Sequence, residues 1–244
     1  MKQVIAIFNR EFRSYFASPL ALIFICIFLM LTGFFTFKLG MFYEQGQADL
    51  RPFFVWHPWL YLFIIPAISM RLWAEEKKTG TIELLLTLPL SLFEAMAGKF
   101  LAAWLFIGLA LSLTFPIVLT VCYLGNPDLG VIFAAYLGSF LMAGSFLSIG
   151  MAVSATTNNQ VIAFVVSTVI CLLFILFGFE PVVNTLLGFF PAKFVELITN
   201  LSFPFHFEAI QRGVLDLRDL VYFLSLMLTA LYIGVVALDR GKAE

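Results

Sequence analysis

Arg71-Leu-Trp-Ala-Glu-Glu-Lys-Lys-Thr-Gly-Thr-Ile-Glu-Leu-Leu-Leu-Thr-Leu-Pro89 stands between two long hydrophobic runs, and its reading decides the fold. It opens with charge, passes a glycine, becomes leucine-rich and ends at a proline. A chain that only had to turn between two membrane spans could do so with a few polar residues. A charged strip, a glycine turn and a short apolar helix together read as a docking element, so a partner is expected to bind there.

The composition around this stretch is that of a membrane protein. Apolar residues make up 62% of the 244 positions, Phe occurs 30 times and charged residues only 12%, against about a quarter in soluble domains. A net charge of -1 offers no basic face to neutralise phosphates, which excludes nucleic acid as a partner. Cys26, Cys122 and Cys171 all lie in apolar runs, where a thiol behaves as a small hydrophobe. Neither disulfides nor a metal cluster are expected.

N-terminal to the stretch, residues 1–18 place Ile5, Phe8, Phe12 and Tyr15 or Phe16 at helical spacing, with Lys2, Arg10, Glu11 and Arg13 largely elsewhere. This predicts an amphipathic interfacial helix, ended by Ser18-Pro19 because proline disfavours helix in the residue before it. The first span covers 19–37 and reads as an uncleaved anchor. The second covers 53–70. Trp56, Trp59 and Tyr61 at its start mark an interface, His57 among them reads as a belt histidine satisfied by water or backbone, and Pro58 and Pro66 shape or kink the span.

C-terminal to the stretch, Ser91-Leu-Phe-Glu94 has the form of a capping box. The third span, 96–124, enters past Lys99, whose stem can snorkel, and Gly125-Asn-Pro-Asp128 forms a turn. The fourth, 129–153, carries Gly138, Ser139, Ala143, Gly144, Ser145, Ser148 and Gly150, a small-residue face suited to close helix contact within the subunit or between subunits. The fifth covers 161–179 and the sixth 220–238. Between them, 180–219 is broken by Pro181, Pro191, Pro204 and Gly213, so it cannot be a span; its pieces 182–190 and 193–201 suit short re-entrant or surface helices.

Six spans put both termini, the opening stretch and the turn at Thr156 on one side. Lys2, Arg10, Arg13, Arg71, Lys77, Lys78, Lys99, Arg240 and Lys242 fall there, against Lys38, Arg51, Lys193, Arg212 and Arg218 opposite. The positive-inside rule makes the richer face cytoplasmic.

Some chemistry has no residues to perform it. No G-x-x-x-x-G-K-[ST] loop is present, since Gly98-Lys99 is followed by Phe100 and preceded by Phe93 where the first glycine would stand. His206 and Glu208 read as an outer-surface polar pair. No charged residue lies near the middle of a predicted span, whereas ion-coupled carriers usually need one. Thr32, Thr36, Ser112, Thr114, Ser167 and Thr168 read as hydroxyls bonding back to their own helices.

Glu75-Glu76-x-x-x-Gly80-Thr81-x-Glu83-x-Leu85-Leu86-x-x-Pro89, with Gly98-Lys99 following, resembles the cytoplasmic signature of type-2 ABC-transporter permeases. With its short helix ending in Ser-Pro, six spans and compact length, the chain is similar in particular to the gliding-motility-type permeases. It is similar, less closely, to the copper-maturation permeases of nitrous oxide reductase. The resemblance implies an all-α permease subunit of the bacterial inner membrane with both termini cytoplasmic, paired with a second permease copy as a homo- or heterodimer. It also implies separate cytoplasmic ATPase subunits that hold ATP and Mg, this chain itself being neither an enzyme nor a cofactor binder, and a coupling helix within 75–90 seated in each ATPase.

The residues fit that role. Gly80 can take a φ other residues avoid, Thr81 can cap a helix start, Glu83 complements its dipole, Leu84, Leu85 and Leu86 supply apolar contact and Pro89 stops it. The resulting expectation is an exporter in which ATP binding pushes the helix at 82–87 and rocks the spans. It either moves an apolar substrate between the two copies or drives an auxiliary protein with an extracytoplasmic domain. The alternatives are a membrane anchor or assembly scaffold, and an ion-coupled carrier. Membrane lipid is a partner in every case.

Overall fold

In a computed structural model the chain is described at residues 2–44, 46, 48–83 and 90–240, and among these every regular element is a helix. In order they are α1 (Lys2–Ala17), α2 (Pro19–Phe34) with a π-helical turn Phe35–Leu39, α3 (Arg51–Phe54), α4 (His57–Ser69), α5 (Arg71–Thr79), α6 (Leu92–Ser112) and α7 (Phe115–Leu124). Then come α8 (Leu129–Thr156), α9 (Gln160–Leu176), α10 (Glu180–Leu187), α11 (Ala192–Thr199), α12 (Phe203–Gln211) and α13 (Leu217–Arg240).

Five stretches are long and apolar enough to cross a bilayer: Ala21–Leu39, Arg51–Thr79, Leu92–Leu124, Leu129–Thr156 and Leu217–Arg240. The 17 residues of α9 are shorter and meet α10 at a 69° bend, so this pair makes a sixth span only if counted together. The chain is a multi-pass membrane protein. Helices α1 and α2 are separated at Ser18-Pro19, and the capping box forms, with Ser91 Oγ accepting from Glu94 N–H and the Glu94 side chain accepting from Ser91 N–H. The hydroxyls of Thr32, Thr36, Ser112, Thr114, Ser167 and Thr168 all bond to carbonyls three or four residues back.

The 28-residue α8 is the axis of the bundle, and its small residues explain why. A Cβ on Gly138 would meet Ile210 Cγ2 at 2.6 Å, one on Gly144 the Met227 sulfur at 2.7 Å, and one on Gly150 the Ser69 hydroxyl at 2.0 Å. All seven small residues of this face are buried inside the chain, so they serve contact within the subunit. Opposite them α13 presents Phe223, Met227, Ala230, Leu231, Gly234 and Leu238, a buried stripe at helical spacing.

Three expectations are overturned. The His57 ring does not sit in an interfacial belt: it is fully buried, with Phe53 and Phe54 at 4.6 and 5.2 Å. Its Nδ1 lies 3.1 Å from Ser139 Oγ, itself 2.6 Å from Tyr61 Oη. His57 and Tyr61 therefore face the core, while Trp56 and Trp59 are half-buried.

Likewise His206 and Glu208 are not a surface pair. His206 is buried, with Nδ1 2.6 Å from Asp219 Oδ1, Nε2 2.9 Å from the Asn200 carbonyl and its ring stacked 3.9 Å from Tyr222. Glu208 instead pairs with Arg51 and Arg212. The cause is a third short helix, α12, which the proline pattern concealed. It runs antiparallel to α8, with Phe203 on Phe146 and Phe174, Ile210 at Gly138 and Gly213 (φ 82°) at Val131.

Third, Lys99 does not snorkel to the surface, because α1 covers it. That helix runs lengthwise beside α6: Ile7 sits where a Cβ on Gly98 would fall, and Tyr15 stacks on Phe106 at 4.8 Å. The third span, at 33 residues, is about 50 Å long against a hydrocarbon core of about 30 Å. Its first turns therefore have length to spare for holding α1.

Candidate functional site

The second span does not end where its apolar run ends. It continues as α5 through the charged strip, interrupted only at Met70, and the interruption has a cause in α8. Ser154 Oγ accepts from the backbone N–H groups of Trp73 (3.2 Å) and Ala74 (3.0 Å) and donates to the Met70 carbonyl (2.9 Å). In an unbroken helix the Ala74 N–H would bond to the Met70 carbonyl directly. Here a hydroxyl from another span is inserted in the ladder, a recognised cause of helix bending.

Beyond this joint, α5 is tied to three neighbours. Glu76 Oε1 lies 2.7 Å from Lys99 Nζ on α6, and the same ammonium lies 3.0 Å from Glu11 Oε1 on α1. Arg10 supports both carboxylates, at 2.6 Å from Glu11 and 3.9 Å from Glu76. Lys77 Nζ donates to the Ala155 carbonyl at 2.5 Å, where α8 has unsatisfied carbonyls. Trp73, fully buried, donates its indole N–H to the Met96 sulfur (3.3 Å), and Lys99 Nζ stands 5.3 Å from the Trp73 ring centre.

The Lys99 side chain is 3% exposed. Burying one ammonium costs several kcal/mol unless it is paired and hydrogen-bonded, and two carboxylates meet that need. Burial pushes the Glu11 carboxyl upward, but Lys99 and Arg10 outweigh it and hold the group below its ordinary range. The charges of Arg10, Glu11, Glu76 and Lys99 cancel.

Gly80 follows with φ 72°, ψ 2°, the left-handed conformation that closes α5, and its N–H bonds to the Lys77 carbonyl. Thr81 donates to the Glu76 carbonyl (3.3 Å), so its hydroxyl also ties back to the helix behind it. Residues 81–83 are again helical, with Glu83 N–H on the Gly80 carbonyl (3.2 Å) and the Glu83 side chain exposed. Leu84, Leu85, Leu86 and Pro89 lie outside the described residues. Of the signature residues, then, Glu76 turns inward, Glu75 and Glu83 stay exposed, and Gly80 is the turn between two helices.

Sequence reasoning missed the inward partners: Glu11, Lys99, Trp73 and Ser154. Only Gly98-Lys99 carried a signal, through its place in the signature. The glycine is needed so that Ile7 can approach, which brings Glu11 onto Lys99.

The family described as "ABC-2 family transporter protein" matches residues 5–238. The chain belongs to that ABC-2 family. The match covers α1, all the candidate spans and the junction, and makes the chain a permease subunit whose family works with ATPase partners. The permease matches no curated protein.

Proposed function

We propose that this ABC-2 permease is the membrane subunit of an exporter in which residues 71–90 receive the push of ATP binding in separate cytoplasmic ATPase subunits. The observation that carries the reading is the junction. Through Glu76–Lys99, Lys77–Ala155 and Ser154, a displacement of α5 is transmitted at once to α1, α6 and α8. Packed, hydrogen-bonded elements move as rigid bodies more readily than they deform. ATP and Mg reside in the partner subunits, a second permease copy completes the path, and the face carrying Lys77 and Lys78 is cytoplasmic by its excess of Lys and Arg. The gliding-motility-type signature favours an arrangement in which hydrolysis also acts on an auxiliary protein with an extracytoplasmic domain.

The test is purification with candidate ATPase subunits and measurement of complex formation and hydrolysis. Gly80→Pro and Glu83→Lys are expected to weaken assembly or uncouple hydrolysis. If both variants assemble and hydrolyse like the parent, the docking role of this segment is wrong. If the complex forms but hydrolysis never responds to the permease, the chain is a scaffold.

A further inference from the structure

Beside the junction lies a half-open pocket of about 370 Å³, within the usual ligand-site range of about 300–1,000 Å³. One wall is polar, from Glu11 and Ser14 of α1 to Glu76 and Lys99. The other is apolar, formed by Ala21 and Phe24 of α2, Ala67 and Ile68 of α4, and Leu72. At the mouth stand Arg71 and Glu75, four residues apart on one helix face, both exposed. Such neighbours commonly pair. These two form no ion pair with each other, nor with any other described residue. The inner charges cancel among themselves, so among the described residues the pocket offers a ligand the Arg71 guanidinium, the Glu75 carboxylate and an apolar wall.

We infer that this pocket binds one zwitterionic phospholipid with a primary-amine headgroup, drawn from the leaflet on which α1 lies. Arg71 takes the phosphate in the bidentate geometry that guanidinium favours, and Glu75 accepts from the ammonium. The glycerol end meets Phe24 and Ile68, and the acyl chains pass into the bilayer between α1 and α2. A purely anionic headgroup would leave Glu75 unmatched against like charge. A quaternary amine would satisfy the charge but offer Glu75 no N–H to accept. The lipid thus completes the charge pairing that the chain leaves open, and bridges α1 and α2 to the second span in the pocket that Lys99 also lines. The inference concerns lipid retention by the permease alone, so it stands or falls independently of ATPase coupling.

The experiment is native mass spectrometry of the full-length permease released from detergent, after incubation with an equimolar mixture of phosphatidylethanolamine, phosphatidylcholine and phosphatidylglycerol of identical acyl chains. One phosphatidylethanolamine is expected to be retained several-fold over the other two. Arg71→Gln and Glu75→Gln alter exposed side chains and leave the core intact. Each should lower that retention about ten-fold or more, as expected for losing a charge-assisted hydrogen bond. Ala67→Trp, which fills the apolar wall, should abolish it. Equal retention of all three lipids, or unchanged retention in both charge variants, overturns the inference. Soluble glycerophosphoethanolamine should displace the lipid only in large excess. Displacement at equal concentration would make the site one for a soluble zwitterion and also overturn it.

Discussion

Lys99 and Glu76 form an ion pair around a buried ammonium, Nζ to Oε1 at 2.7 Å, that fastens the charged extension of the second span to the start of the third. Removing one partner of such a pair strands the other charge, at a cost of about 3–5 kcal/mol. Lys99→Met is therefore expected to destabilise the permease by that amount in detergent, and Lys99→Met combined with Glu76→Gln by clearly less than the sum of the single changes. Thermal or denaturant unfolding of the four proteins closes the cycle. Strict additivity would mean that the contact carries no coupling energy.

Ser154 holds the joint at Met70 through three hydrogen bonds. Ser154→Ala leaves buried backbone N–H groups without their acceptor, at about 1–3 kcal/mol, unless the ladder recloses and α5 swings to a new angle. Either result is visible: a lower unfolding midpoint, or a changed distance between spin labels at exposed positions Phe63 and Lys78. A variant unchanged in both would show that the hydroxyl is incidental.

Gly80 owes its place to its backbone. At φ 72° an L side chain pays about 1–2 kcal/mol, while nothing surrounds a Cβ there. Gly80→Ala should cost about that amount and Gly80→Asn less, since Asn tolerates the left-handed region. Equal losses would point to a steric cause.

The Glu11 carboxyl, with its pKa lowered in the folded protein, gives stability its sign. A group depressed on folding contributes stability that is present above its unfolded value, 4.5, and is lost as pH falls through the folded value. Below about pH 4.5 the parent should lose thermal stability more steeply than Glu11→Gln, the two curves converging at the acid end. Parallel curves would remove Glu11 from the account.

What could be read in the sequence was local. The Ser91–Glu94 box, the breaks at Pro19 and Pro181 and the hydroxyls bonded one turn back all involve partners within four residues, so spacing reveals them. The junction was out of reach because Glu11, Glu76, Lys99 and Ser154 meet only when four helices pack. His57 was misread for a related reason: aromatic residues at the end of a span suit a membrane interface or a core equally well, and only the position of Ser139 decides. The seven small residues of α8 announced a close contact without saying with whom, and Ile210, Met227 and Ser69 answer that.

The His206–Asp219 pair bears on how the chain is made. Both ring nitrogens are engaged, Nδ1 with the Asp219 carboxylate and Nε2 with the Asn200 carbonyl, so the ring ties the turn before α12 to the helix that comes after it. Asp219 belongs to the first turn of α13, which follows α12 in the chain. Until it arrives, α12 has neither the length to insert as a span nor the carboxylate partner of its buried histidine. Its seat against α8 is therefore completed only once α13 has been made, and α12 is locked in place by the helix that follows it.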